Sequence, residues 1–219
     1  MKKVLLDFDI GTEIDDAIAL AYLLAVAPMT NLGLLFAMDP ELPELLDGLY
    51  LLCGSPTHQR HDVVTESLSA MERDDFIRVL ASQGILENNS IVDPHATSIV
   101  YRARCRNFVN IGNNVSSRVV MTPEEAERRF RHPIMQVVMS IAREWFKDEP
   151  RVSFHDPLAA VCIFNDDVCS YKRGYMDCVL DSRLLGGMTI FREDPAGPHQ
   201  VAWDVDGDKF SEHLFEVFA

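Results

Sequence analysis

The stretch Asp7-Phe8-Asp9-Ile10-Gly11-Thr12-Glu13-Ile14-Asp15-Asp16 constrains the fold of this chain more than any other. It follows the apolar run Val4-Leu5-Leu6 and precedes Ala17-Ile18-Ala19-Leu20-Ala21, so it reads as a strand, a glycine turn and a helix start. Open α/β sheets bind their ligands at that edge, where the strand hands over to the helix. Carboxylates crowded on one turn repel one another, and a divalent cation held by oxygen ligands relieves the repulsion. A hard-metal site is therefore the first expectation.

A chain of 219 residues buries one sizeable core, which predicts a single domain over residues 1–219. A formal charge of −14 without any basic stripe excludes a nucleic-acid partner and an anionic membrane surface. The five cysteines, Cys53, Cys105, Cys162, Cys169 and Cys178, are odd in number and lack Cys-x-x-Cys spacing. That usage fits a reducing, cytoplasmic compartment rather than a disulfide scaffold or a zinc site. Met1-Lys2-Lys3 could open a signal peptide, but Asp7 and Asp9 interrupt the apolar run almost at once. Between Ala17 and Met38, Pro28, Thr30 and Asn31 break the hydropathy, so buried helix and strand are expected there and not a membrane span.

Strand 1 is expected over Lys3 to Phe8, with a helix from about Asp15. Pro28-Met29-Thr30-Asn31 reads as a turn into a helix through about Phe36, and Leu49 to Cys53 as a buried strand. Ser67 to Gln83, closed by Gly84, has a helical pattern. Asp93-Pro94 opens a further helix, and Asn107 to Ile111 is a candidate strand. Thr122-Pro123-Glu124-Glu125 carries a capping threonine, a proline at the first helical position and a glutamate at the third. A long helix from Pro133 to Phe146 follows, and His155-Asp156-Pro157 opens another. Strands are expected near Tyr175 to Leu180, Met188 to Phe191 and Gln200 to Val205, then a helix from Asp208.

Asp9, Asp15, Asp16, Glu87, Asn89 and the His155-Asp156 pair all fall in expected loops or helix starts. Singly, each has a bland reading: aspartates cap helices, asparagines form turns, Thr30 is a turn residue and Glu87 a solvated charge. Jointly, they occupy positions that can converge on one edge of a sheet.

Four motifs in order resemble the inosine-uridine-preferring nucleoside hydrolases. Asp7-Phe8-Asp9-Ile10-Gly11 through Asp15-Asp16-Ala17 looks like that family's N-terminal aspartate signature with a longer turn. Pro28-Met29-Thr30-Asn31-Leu32 looks like its Pro-Leu-Thr-Asn turn, Glu87-Asn88-Asn89 is similar to its Glu-Phe-Asn segment, and His155-Asp156-Pro157 to its C-terminal His-Asp-Pro. The resemblance implies an α/β fold with an open, mainly parallel sheet and helices on both faces. It implies hydrolysis of the N-glycosidic bond of ribonucleosides to ribose and free base, a salvage reaction, with Ca2+ as cofactor.

Carried over, the resemblance has Asp9 and Asp16 bind calcium by side-chain oxygens, Thr30 by its carbonyl and Asp156 by its carboxylate, an oxygen-only set of the kind calcium prefers. Asp9 would also deprotonate a water that the cation acidifies. Asp15, Glu87 and Asn89 would grip the ribose hydroxyls, and His155 would protonate the departing base. Family members are usually dimers or tetramers, so the resemblance allows a homo-oligomer and leaves the oligomeric state open. Asn88 stands where the family has phenylalanine, and the first helix runs almost directly into Pro28, where relatives have several βα units. The chain thus reads as a shortened member with a weakened ribose pocket, in which Tyr22 to Ala27 would have to return to the site as a strand. Two alternatives stand beside it: a non-catalytic relative that binds calcium or a ribosyl ligand, and a haloacid-dehalogenase-like phosphatase, whose nucleophile strand Leu6-Asp7-Phe8-Asp9 resembles but for Gly11.

Overall fold

The protein is described by a computed structural model over residues 28–56, 75, 86–183 and 185–218. The expectations for strand 1, for the helix from Asp15, for Tyr22 to Ala27 and, but for Asp75, for Ser67 to Gln83 lie outside these residues, as do Asp9, Asp15 and Asp16.

The described chain runs α1 (Thr30–Met38), α2 (Leu42–Leu45), β1 (Leu49–Leu52), α3 (Asn88–Val92), α4 (Pro94–Tyr101), β2 (Phe108–Ile111), α5 (Asn113–Ser116) and β3 (Val120–Met121). It continues with α6 (Pro123–Arg129), α7 (Pro133–Trp145), β4 (Val152–Ser153), α8 (His155–Phe164), β5 (Cys169–Cys178), β6 (Thr189–Glu193), β7 (His199–Val205) and α9 (Gly207–Glu216). Five strands form one sheet in the order β1-β2-β7-β5-β6. The expected parallel pairing holds for β1 with β2 and for β2 with β7, while β5 pairs antiparallel with both β7 and β6. Among the described strands the sheet is therefore mixed.

Side chains alternate across a strand, and in β1 and β2 both faces are apolar. Leu49, Leu51, Cys53 and Phe108 join one core with Met29 and Phe36 from the α1 side and with Val100 and Tyr101 of α4. Leu52, Val109 and Ile111 join the other, with Met135 and Met139 of α7, Leu158 of α8 and Leu214 of α9. Helices thus cover both faces, as expected. Each fully buried side chain of this size, such as Phe154 or Leu158, contributes roughly 1.5–3 kcal/mol.

Local signals fixed several elements as read. Thr122 accepts a bond from Glu125 N, and the Glu125 side chain reaches back to Thr122 N, which makes the reciprocal box that opens α6. Asp93 caps α4 by accepting from Ala96 N at 2.9 Å, ahead of Pro94 at the first helical position. The strand expected over Tyr175 to Leu180 begins instead at Cys169. Its first half, including Lys172 and Arg173, has no apolar alternation; pairing with β7 from Cys169 to Gly174 holds it extended. No helix among the described residues is long and apolar enough to cross a membrane.

Candidate active site

β1 ends in a turn that only glycine fits. Gly54 has φ +75, and a Cβ there would lie 2.6 Å from Thr189 Oγ1 and 2.9 Å from the Tyr101 hydroxyl. Gly54→Ala is accordingly expected to cost about 2–4 kcal/mol, from the left-handed backbone and the clash together. A urea midpoint equal to the parent's would show that the turn yields.

The reason for the tight turn is Glu87. Its carboxylate accepts from Gly54 N at 2.7 Å, from Asn89 N at 2.7 Å and from Ser90 N at 3.1 Å, so it caps α3 and ties that helix to the carboxyl end of β1. Glu87 is buried, 7 % exposed, which corrects the reading of it as a solvated charge. Backbone N–H groups do the work of water in stabilising the buried carboxylate. Asn89, one position into the helix, donates from Nδ2 to the Leu52 carbonyl at 3.0 Å. That bond fixes its amide plane over the strand end; its Oδ1 makes no hydrogen bond among the described residues and can accept one from a ligand hydroxyl.

β2 ends beside β1 and turns at Gly112 into α5, where Asn113 N donates to the Gly54 carbonyl at 2.8 Å. At the end of α5 the fully buried Ser116 lies with Oγ 2.8 Å from His155 Nδ1. His155 is the first residue of α8 and Asp156 the second, with Phe154 at the cap position. Burial drives the His155 imidazole down from its usual value to about 4, so it is neutral at pH 7. The Asp156 carboxylate is buried, at 6 % exposure.

Thr30 is the first residue of α1 and is exposed; its Oγ1 donates to Asp93 Oδ2 at 2.8 Å. Asp93 closes the helix that Glu87 opens, so Thr30 is tied to α3 from the other side. The expected residues that are described thus form two linked groups. Thr30, Glu87 and Asn89 gather around α3, and His155 and Asp156 sit at the start of α8, joined to the first group through Gly54, Asn113 and α5.

Ser116 was not singled out from sequence, nor was Asn110, which is fully buried in β2. Asn110 donates from Nδ2 to the Cys53 carbonyl at 2.9 Å and accepts from the Tyr101 hydroxyl at 3.2 Å, which braces β1 just before Gly54. An asparagine within the apolar run Phe108-Val109-Asn110-Ile111 was the available signal. An open cleft of about 580 Å3, lined by Asp167, Cys169, Asp204, Asp206 and Asp208 among others, contains none of the expected site residues. Three of these acids are engaged: Asp167 pairs with Lys209, Asp204 with Arg118, and Asp206 caps α9.

Among the described residues no three His, Cys, Asp or Glu side chains come together as a metal-binding group. Of the expected calcium ligands, two are described, Asp156 and Thr30. A buried carboxylate and a main-chain carbonyl are both hard oxygen donors, and on that chemistry they fit calcium.

Solved structures of nucleoside hydrolases share this fold, three of which illustrate the likeness. A plant nucleoside hydrolase superposes with a TM-score of 0.64 at 19 % identity, covering 99 % of this chain and 70 % of its own. A purine-preferring ribonucleoside hydrolase from Gardnerella vaginalis does so at 0.63 and 21 %, covering 94 % and 65 %. An inosine-uridine preferring nucleoside hydrolase from Bacillus anthracis gives 0.66 and 17 %, covering 94 % and 65 %. This chain thus spans between 65 % and 70 % of the length of these three. No curated protein matches it in sequence. The family described as inosine-uridine preferring nucleoside hydrolase matches residues 21–212, a range that takes in the Thr30 turn, Glu87-Asn88-Asn89 and His155-Asp156-Pro157. The chain belongs to that family.

Proposed function

We propose that this protein hydrolyses the N-glycosidic bond of ribonucleosides, releasing ribose and the free base, with a calcium ion bound at the carboxyl edge of the sheet. The observation that carries the reading is the placement of Glu87 and Asn89 at the end of β1 and of His155-Asp156 beside the end of β2, in a chain of this family.

Asp9, Asp16, the Thr30 carbonyl and Asp156 would hold the calcium ion. When bound, the cation supplies Lewis acidity that brings the attacking water within reach of deprotonation near neutral pH. Asp9 takes that proton as general base. Asp15, Glu87 and Asn89 hold the ribose hydroxyls. Asn89 is suited to this because its Nδ2 is already committed to Leu52, which leaves an oriented oxygen for a hydroxyl donor. The sugar passes through an oxocarbenium-like state, and carboxylates held around it oppose its positive charge. His155 delivers a proton to the leaving nitrogen. An imidazole that burial holds near 4 is a strong acid once charged, while its small charged fraction at pH 7 limits the rate; the two effects oppose each other. Because the sequence between Asp16 and Pro28 leaves no room for the several βα units that the family resemblance implies there, a ribose pocket missing one wall and turnover below that of full-length relatives are expected.

The test is base release from a panel of ribonucleosides, with calcium and with chelator. Release with calcium and its loss on chelation are expected, along with calcium stabilisation of about 2.7 kcal/mol at a hundredfold excess over Kd, abolished in Asp156→Asn. Calcium stabilisation without base release would favour a binding protein, and a melting temperature indifferent to calcium and chelator would remove the cation from the reading.

A further inference from the structure

Ser116 sits between two acceptor-capable atoms. Its Oγ is 2.8 Å from His155 Nδ1 and 3.2 Å from the carbonyl oxygen of Gly112, four residues back. A serine hydroxyl has one proton to give and two lone pairs to receive with. The Gly112 oxygen can only accept, and a serine in a helix commonly donates to the carbonyl four residues earlier. If the proton pointed to His155 instead, the two oxygens would face each other inside the protein with no proton between them. The arrangement that satisfies both contacts is a relay: Nδ1–H of His155 donates to Ser116 Oγ, which donates to Gly112. With Nδ1 protonated, the neutral ring carries its lone pair on Nε2. Among the described residues Nε2 makes no hydrogen bond.

We propose that Ser116 is a positioning residue for His155: it fixes the ring and selects the Nδ1–H tautomer, so that Nε2 is the atom that takes up the proton and hands it to the departing base. The Nδ1–H bond to Ser116 survives when the ring becomes charged, so the imidazole keeps one orientation through proton uptake and release. The use made of the tautomer rests on the hydrolase reading; the tautomer itself does not.

The experiment is long-range proton–nitrogen NMR of the histidine rings in the full chain at pH 7.5, with the His155 signals assigned by their disappearance in His155→Ala. The parent is expected to show Nδ1 protonated and Nε2 bare. Ser116→Ala should lose that preference and average the two nitrogens, and Ser116→Thr, which keeps the hydroxyl, should restore it. A parent in the Nε2–H form, or a Ser116→Ala protein that keeps a pure Nδ1–H ring, overturns the proposal. In kinetics, Ser116→Ala should lower kcat on inosine about fivefold to tenfold, the bias one hydrogen bond sets between tautomers, and leave a nitrophenyl riboside nearly untouched. Equal losses on the two substrates would mean that Ser116 does not act through His155. If the parent cleaves neither substrate, the hydrolase reading fails, and the NMR result still decides the assignment of Ser116.

Discussion

Glu87→Gln is expected to lose about 2–3 kcal/mol of folding stability at neutral pH although only an oxygen is exchanged for a nitrogen. The parent carboxylate receives three backbone N–H donors, from Gly54, Asn89 and Ser90, and has no hydrogen to offer. A glutamine must set its NH2 against at least one of them. Placing the amide nitrogen on the Asn89 side sacrifices one charge-assisted bond and leaves a donor facing a donor in a buried place. Placing it on the other side sacrifices two. The loss should appear in the urea midpoint with an unchanged slope, because the same surface is exposed on unfolding. A midpoint within error of the parent's would mean that the carboxylate does not hold α3 to β1. Substrate binding should weaken in the same variant if Glu87 also holds the ribose, and that part is separable because it is read at saturating stability, below the unfolding transition.

The second large effect is expected from His155→Ala, and it should depend on the leaving group. On inosine, whose base departs poorly without a proton, kcat should fall by ~10²–10⁴-fold; on a nitrophenyl riboside, whose leaving group is stable as an anion, it should hardly change. Equal losses on both would remove His155 from proton delivery and make it a structural residue of the α8 start. The fold should tolerate the change, since the ring's hydrogen bond to Ser116 is of ordinary length and the serine hydroxyl keeps its bond to the Gly112 carbonyl.

What the sequence made legible was whatever its local chemistry decides. The reciprocal cap of α6 is written in Thr122-Pro123-Glu124-Glu125, and the α4 start in Asp93-Pro94, because all the bonds involved lie within a few residues. β1 and β2 were readable because strands buried on both faces appear as short, largely apolar runs, interrupted in β2 only by Asn110. The first half of β5 was not. Lys172 and Arg173 give no periodic signal, and the residues that order them, in β7, lie about 30 positions on in the sequence. The site divided in the same way. His155, Asp156, Glu87 and Asn89 could be chosen by residue type and motif, but what each touches is set by tertiary contacts: Gly54 to Glu87 across 33 positions, Ser116 to His155 across 39. Ser116 in particular is one of many serines, and only its distance to an imidazole nitrogen distinguishes it.

Gly54 is hydrogen-bonded through both its polar groups, its N–H to Glu87 and its C=O to Asn113 N. The first bond leads to the residues assigned to the sugar, the second through α5 to the histidine assigned to the base. A local opening of one half would therefore disturb the residue that anchors the other. On the proposed roles, sugar recognition and leaving-group activation then share one backbone junction: a change at Gly54 would reach both sides, whereas a side-chain change at His155 or Ser116 that leaves these two bonds in place would reach only its own.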